Sequence, residues 1–296
     1  MNKIPVATAH AYAIQDNKFL SIIKKRKYLI GDILGVIGAI IIFIIPFIFI
    51  LVNSFKERRE ANLLNLSLPY ELYYQNFIDV FQVNNFQILL AFRNSGILVI
   101  GGAILLILAG SMGGYVIQRR KDRTMRWINV LLLVGLMVPP AIMPTIWVLE
   151  RLFLFRTLPG IILVQVALQL PFTVMLYRGF MSSIPVELEE AGYIDGCSRL
   201  KLFFLIVFPL LKPVTATVTI LNAVHTFNDF ANPLFFLPGA ENVTVQLTLF
   251  NFMGQFTNAF NLVFANVVLI TIPMLVVFIF FNKKIVSGMV AGAIKG

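Results

Sequence analysis

The chain has 296 residues, 58% of them hydrophobic and only 13% charged, where a soluble domain carries about 25% charged residues. The net charge of +10 does not mark a nucleic-acid binder: the cations lie in short runs beside apolar blocks, without a basic face interleaved with aromatics. Cys197 is the only cysteine, which excludes an intrachain disulfide, and His10 and His225 stand alone without HExxH or Cys/His clusters, so no metal site is expected.

A membrane span needs about 20 mostly apolar residues. Residues 1–27 precede the first such stretch and end on Lys24, Lys25, Arg26 and Lys27. That stretch, Tyr28–Val52, is much longer than the about 7–15 apolar residues of a signal peptide, and no small-x-small site follows it. A retained helix is expected. Glu57–Leu90 is polar and aromatic, with Tyr70, Tyr73, Tyr74, Phe77 and Phe81. Four further spans are predicted at Ala91–Ile117, Ile128–Leu149, Gly160–Met181 and Leu202–Val224. The third contains Pro139, Pro140 and Pro144 and the fourth Pro171, which a helical bundle tolerates because the freed carbonyls find other partners. His225–Asn261 has no Lys or Arg, and Leu262–Phe281 is the sixth span, ahead of a tail over 282–296. The fold class is therefore all-α: a polytopic protein whose residues 28–281 make a domain of about six spans, in contact with membrane lipid.

With the N-terminus inside, about eighteen Lys and Arg fall on the cytoplasmic side and six on the other. The positive-inside rule thus places both termini and the 182–201 segment in the cytoplasm.

That segment reads Ser182-Ser-Ile-Pro-Val-Glu-Leu-Glu-Glu-Ala-Gly-Tyr-Ile-Asp-Gly-Cys-Ser-Arg-Leu-Lys201. Pro185 suits a first helical turn, and Glu187, Glu189 and Glu190 complement the positive end of the helix dipole. At about 100° per residue, Leu188, Ala191, Gly192 and Asp195 share one face, Glu187, Glu190 and Ile194 another. The small Ala191 and Gly192 would let another backbone approach the first face. Asp195-Gly196 is a turn signal that stops the helix. Periodicity alone leaves two readings open: a docking element for a soluble motor, or an amphipathic connector. Asp195 is likewise open between docking and local turn bonding.

Glu190-Ala191-Gly192, then Gly196, then Ile206 and Pro209, resembles the EAA loop of permeases in binding-protein-dependent ABC importers, with Gly192 for the second alanine and Phe208 for a leucine. Arg93-Asn94-Ser95, Gly114-Tyr115, Asn228-Asp229-Phe230, Pro233-Leu234 and the glycine-rich tail from Gly288 to Gly296 resemble the maltose-type, carbohydrate-uptake branch and its second permease subunit. The resemblance runs from about Asp32 to Gly296. It implies a bacterial inner-membrane location, pairing with a second permease subunit, two ATP-binding subunits and an external sugar-binding protein, and alternating access driven through the cytoplasmic loop. Glu187, Glu190, Ala191, Gly192, Asp195 and Gly196 would then be the coupling residues. No Gly-Lys pair and hence no P-loop occurs in the chain. ATP and magnesium are accordingly expected on the partner ATPase, with no cofactor on this chain and no enzymatic activity of its own.

Polar residues within spans tend to face the bundle interior. Gln165 and Gln169 lie four apart in the fourth span, and Thr215, Thr219 and Asn222 form a stripe in the fifth. Such stripes suit sugar hydroxyls, and they equally suit hydrogen bonds between helices. Gly110-x3-Gly114 reads as plain close packing. The rival classes are an ion-coupled secondary transporter, which usually carries charges inside its spans, and a channel subunit. Here Asp32 and Asp229 lie near predicted span ends and the interiors are essentially uncharged.

Overall fold

The computed structural model describes residues 31–253 and 259–293. The basic 1–27 segment, the opening of the first predicted span at 28–30 and the end of the tail at 294–296 lie outside the described residues. Among the described residues no strand occurs. The helices are α1 (Gly31–Ser54), α2 (Arg58–Ala61), α3 (Gln75–Arg119), α4 (Arg123–Met137), α5 (Ile142–Arg151), α6 (Leu158–Met181), α7 (Glu187–Ile194), α8 (Arg199–Leu210), α9 (Lys212–Asn228), α10 (Ala231–Phe236) and α11 (Phe260–Ala293).

Four of these, α1, α3, α6 and α11, are long and apolar enough to cross a bilayer unbroken. The third and fifth predicted spans are bent pairs of helices rather than straight ones. In the third, α4 and α5 meet at 118°. Pro139 and Pro140 lack N–H groups, and Val138 is extended at ψ 120°, as a residue before proline prefers. In the fifth, α8 and α9 meet at 77° around Leu211, with Pro213 in the first turn of α9. Pro171, by contrast, sits inside α6 without breaking it. Prolines also explain two π turns. Ile40–Ile44 in α1 precedes Pro46, and Phe203–Val207 in α8 precedes Pro209, each loosening the ladder where a missing N–H would leave a carbonyl unpaired.

At 1.5 Å per residue α3 would be about 68 Å long, twice the bilayer core. Its backbone breaks at Val83–Phe86, where Asn84, Asn85 and Phe86 take φ of 49°, 56° and 60°. Asparagine tolerates this left-handed conformation better than most residues. The segment expected as a polar loop up to Leu90 thus contains a helix of its own from Gln75 to the break, and the span proper follows it.

The core is the packing of α3, α6 and α9. Gly110 and Gly114 face Tyr177, and a Cβ on Gly114 would lie 2.7 Å from the Tyr177 Cβ and 2.9 Å from the Arg178 backbone nitrogen. The two helices therefore touch backbone to side-chain root, as small residues permit in membranes. Fully buried Tyr177 donates to Thr215 Oγ1 at 3.0 Å, tying α6 to α9. Helix α1 buries almost nothing within this chain and leans on α11, with Phe49 edge-on to Phe264 at 5.4 Å. An apolar helix exposed on nearly every side faces lipid or another subunit's helices.

The end of the bundle away from α7 is held by buried polar bonds. Lys56 is fully buried, and its Nζ donates to Asn53 Oδ1 (3.2 Å) and to Asn65 Oδ1 (2.8 Å). Asn76 reaches the carbonyls of Ser54 and Lys56 and accepts from Asn261. Asn94 donates to the carbonyls of Glu241 and Val243, and Ser95 Oγ accepts from the Val245 N–H at 3.1 Å. These two α3 residues fasten the 240–252 strap across the bundle end.

Candidate functional site

The 182–201 segment forms a short helix, a turn and the start of a second helix, as the sequence predicts. α7 begins at Glu187, two residues after Pro185, which stays outside it. Its end is a Schellman turn: Cys197 N–H donates to Gly192 O and Gly196 N–H to Tyr193 O, with Gly196 at φ +78°. Only glycine takes that φ without a Cβ penalty. Asp195 is exposed, and its carboxylate makes no hydrogen bond among the described residues. The turn is closed by backbone groups alone.

Which face of α7 points where differs from the sequence expectation. The buried residues are Glu189 and Gly192, one turn apart. Gly192 sits against this chain's own α8: a Cβ there would meet Ile206 Cδ1 at 2.5 Å and Leu202 Cδ1 at 3.3 Å. Its smallness serves an internal contact, because Leu202 and Ile206 run directly beneath it. Leu188, Ala191 and Asp195, placed on the same face by simple periodicity, are exposed with Glu187 and Glu190. Val186, Tyr193 and Ile194 join them, Ile194 at 86% exposure. An eight-residue helix thus presents acids and large apolar side chains together to its surroundings.

Glu189 is the residue the sequence reading passed over. Grouped there with two neighbouring acids as a dipole partner, it is 5% exposed. Arg119 Nε donates to its Oε1 at 2.7 Å, and Arg119 Nη2 stands 2.6 Å from the same oxygen. Tyr115 Oη donates to Oε2 at 2.9 Å, and Arg119 Nη2 also donates to the Ile184 carbonyl at 3.0 Å. Both carboxylate oxygens are satisfied, as a buried charge requires. The Tyr115 ring in turn packs on Phe203 of α8, centroids 5.3 Å apart. The available signal was spacing: Tyr115 and Arg119 lie four apart on one face at the end of α3, and Glu189 lies three before Gly192.

The five residues read as a polar pathway do not converge. Gln169 and Asn222 line a cavity of about 660 Å³ between α6, α9 and α11, together with Phe172, Thr173, His225 and Phe278. Thr215 and Thr219 line a separate groove of about 440 Å³ that also includes Lys212. Gln165 lines neither; it is 1% exposed and donates to Asp229 Oδ2 at 3.1 Å. Two of the five tie helices together: Asn222 donates to the Val99 carbonyl at 2.9 Å and Thr215 accepts from Tyr177, whereas Thr219 bonds back to the Thr215 carbonyl within α9. Gln165 Oε1 and Gln169 Nε2 are each buried without a hydrogen-bond partner among the described residues.

A cluster of basic groups surrounds the same end of the bundle as α7. Arg120, Lys121, Arg126 and Arg178 border a cavity of about 540 Å³. Asp122 caps α4 by accepting from the Met125 N–H at 2.9 Å, and this bond, with Arg120 beside it, holds its carboxyl below the usual range.

The architecture has a solved counterpart. A bacterial ABC transporter involved in the import of the acidic polysaccharide alginate contains a chain that superposes with a TM-score of 0.74 over 95% of this chain and 99% of that one, at 18% identity. The sequence comparisons agree with it. The chain is 33% identical to the melibiose/raffinose/stachyose import permease protein MelC of Bacillus subtilis, over 85% of this chain and 91% of that protein. It is 31% identical to the probable starch degradation products transport system permease protein AmyC of Thermoanaerobacterium thermosulfurigenes, over 91% and 97%. A family model covers residues 106–290, which include the α3 end that carries Tyr115 and Arg119, all of α7 and the bent α8–α9 arm. The chain is a membrane permease, and it belongs to the family of binding-protein-dependent transport system inner membrane components.

Proposed function

We propose that this chain is one permease subunit of an ATP-driven carbohydrate importer and that α7 is its coupling helix. The observation that carries the proposal is the construction of the 182–201 segment. Glu189 and Gly192 fix α7 to its own bundle, while Glu190, Ala191, Leu188 and Ile194 remain exposed at its surface. A helix anchored on one side and presenting acids with large apolar side chains on the other suits a partner groove, because exposed large apolar side chains mark contact surfaces. The partner is a separate ATPase that binds ATP and magnesium. Glu187, Glu190, Ala191 and the Gly196 turn present the docking surface; Gly192 and Glu189 orient it.

The carbohydrate class is supported by relatives named for melibiose, raffinose, stachyose and starch products. Gln169 lines the 660 Å³ cavity and is the pathway residue assigned to a sugar hydroxyl. A second permease subunit completes the pathway, an external binding protein delivers the sugar, and α7, the basic cluster and both termini lie on the cytoplasmic side, in keeping with the positive-inside rule.

The test is co-expression with the neighbouring importer genes. Glu190→Lys or Gly196→Val is expected to reduce recovery of the ATPase subunit with this chain and to abolish uptake from a panel of labelled melibiose, raffinose and malto-oligosaccharides. Membrane insertion should stay normal. Full ATPase recovery and uptake in both variants would contradict the role given to α7. Uptake driven by a proton or sodium gradient in the absence of ATP would instead identify a secondary carrier.

A further inference from the structure

The coupling helix is attached to two different elements, and they differ mechanically. Through Gly192 it rests on Leu202 and Ile206 of α8, an apolar contact that can slide. α8 also ends in the 77° bend at Leu211, so displacement delivered to it can be absorbed there before reaching α9. Through Glu189 it is attached to α3 by two hydrogen bonds, one to each carboxylate oxygen, and by the ion pair with Arg119, with side-chain exposure of 17% for Arg119 and 6% for Glu189. Such a bond set is directional, and sliding it would strand a buried charge. Beyond Phe86 no further break in the backbone of α3 occurs before Arg119. At its far end Asn94 and Ser95 hold the 240–252 strap. One continuous helix thus joins the coupling helix to the opposite bundle end.

We propose that the Glu189–Arg119–Tyr115 joint makes α7 and α3 move as one body, so that α3 carries the motion of the coupling helix across the membrane. This rests on α7 being the coupling helix. Glu189, Arg119 and Tyr115 are positioning residues: none touches substrate or nucleotide, and their effect is on the linkage between two helices.

The test uses the assembled transporter in lipid nanodiscs, with Cys197→Ser as background and spin labels at Val186, the N-cap of α7, and at Met112 on α3, both exposed. Distances are measured without nucleotide and with ATP and vanadate. In the parent the distribution should stay narrow and unchanged between the two states. In Glu189→Gln it should match the parent without nucleotide, then shift and broaden with ATP and vanadate, while the ATPase subunits stay bound and hydrolyse ATP. Arg119→Lys should remain near the parent, and Tyr115→Phe, which keeps the ring on Phe203, should fall between and serves where the Gln variant assembles poorly. The idea is overturned if Glu189→Gln matches the parent in both states, if the parent itself shifts, or if the variant distance has already changed without nucleotide, which marks plain loss of structure. Failure of the ATPase to co-purify with the unsubstituted chain would instead strike the coupling-helix assignment.

Discussion

Replacing Gly192 separates two uses of a small residue, room for a partner and room for this chain's own α8. An added Cβ would stand 2.5 Å from Ile206 Cδ1, where carbon atoms prefer about 3.5–4.0 Å, so something must retreat by about 1 Å. In Gly192→Ala the retreating atom is the tip of the Ile206 side chain, and an off-rotamer adjustment costs about 0.5–1.5 kcal/mol. Removing a glycine from the helix returns about 1 kcal/mol. The net change is close to zero, which fits the alanine found there in the EAA pattern. Gly192→Leu has no such escape, since Leu202 Cδ1 blocks the other side at 3.3 Å; overpacking of this kind costs about 1–3 kcal/mol. Thermal unfolding of the purified complex should therefore be unchanged for Ala and lowered for Leu. Ile206→Ala should relieve the Leu variant, with a coupling of about 0.5–3 kcal/mol in the double-mutant cycle. If Gly192→Leu melts like the parent, adds independently to Ile206→Ala, and yet loses the ATPase, the residue faces the partner and the packing argument is wrong.

Gly114→Ala should be more damaging than Gly192→Ala although both add one carbon, because at Gly114 the obstruction includes the Arg178 backbone at 2.9 Å; lower yield and an earlier melting transition are the readouts. Lys56→Met should loosen the 62–72 segment, since it removes the ammonium that Asn65 and Asn53 accept from. The cost, about 1–3 kcal/mol for such a buried polar set, should appear as faster hydrogen exchange there with unchanged exchange in α6. The first turn of α4 should respond to acid. Asp122 has a lowered carboxyl pKa, caused first by the Met125 N–H and then by Arg120. Its stabilisation is thus present above the ordinary carboxylate value, near about 4, and is lost only as pH falls through the lowered one. Exchange at Met125 should rise in that window, and Asp122→Asn should flatten the dependence.

Much of the architecture follows from local chemistry that the chain carries openly. Six apolar stretches, their approximate ends, and the helix, turn and helix of 182–201 are legible because hydropathy, acid placement and Asp195-Gly196 are properties of adjacent residues. The angle at which α4 meets α5, or α8 meets α9, is not. Pro139, Pro140 and Pro213 announce lost N–H groups, but whether a helix breaks at that point depends on what packs beside it, and Pro171 leaves α6 unbroken. The break at Asn84–Phe86 was equally hidden, because no glycine or proline marks it.

The same division runs through the site. A single turn of α7 contains Glu187, Glu189 and Glu190, which composition and periodicity cannot rank. Tertiary packing alone distinguishes them, by bringing Arg119 and Tyr115 from 70 and 74 residues earlier in the chain to one carboxylate and leaving the other two in the open. Short-range sequence sets which segments are helical and which face water, because those free energies are summed residue by residue. Which acid becomes a buried anchor, and which glycine a contact, is decided only when distant helices meet, since ion pairing and close packing depend on distances between elements that no local pattern encodes.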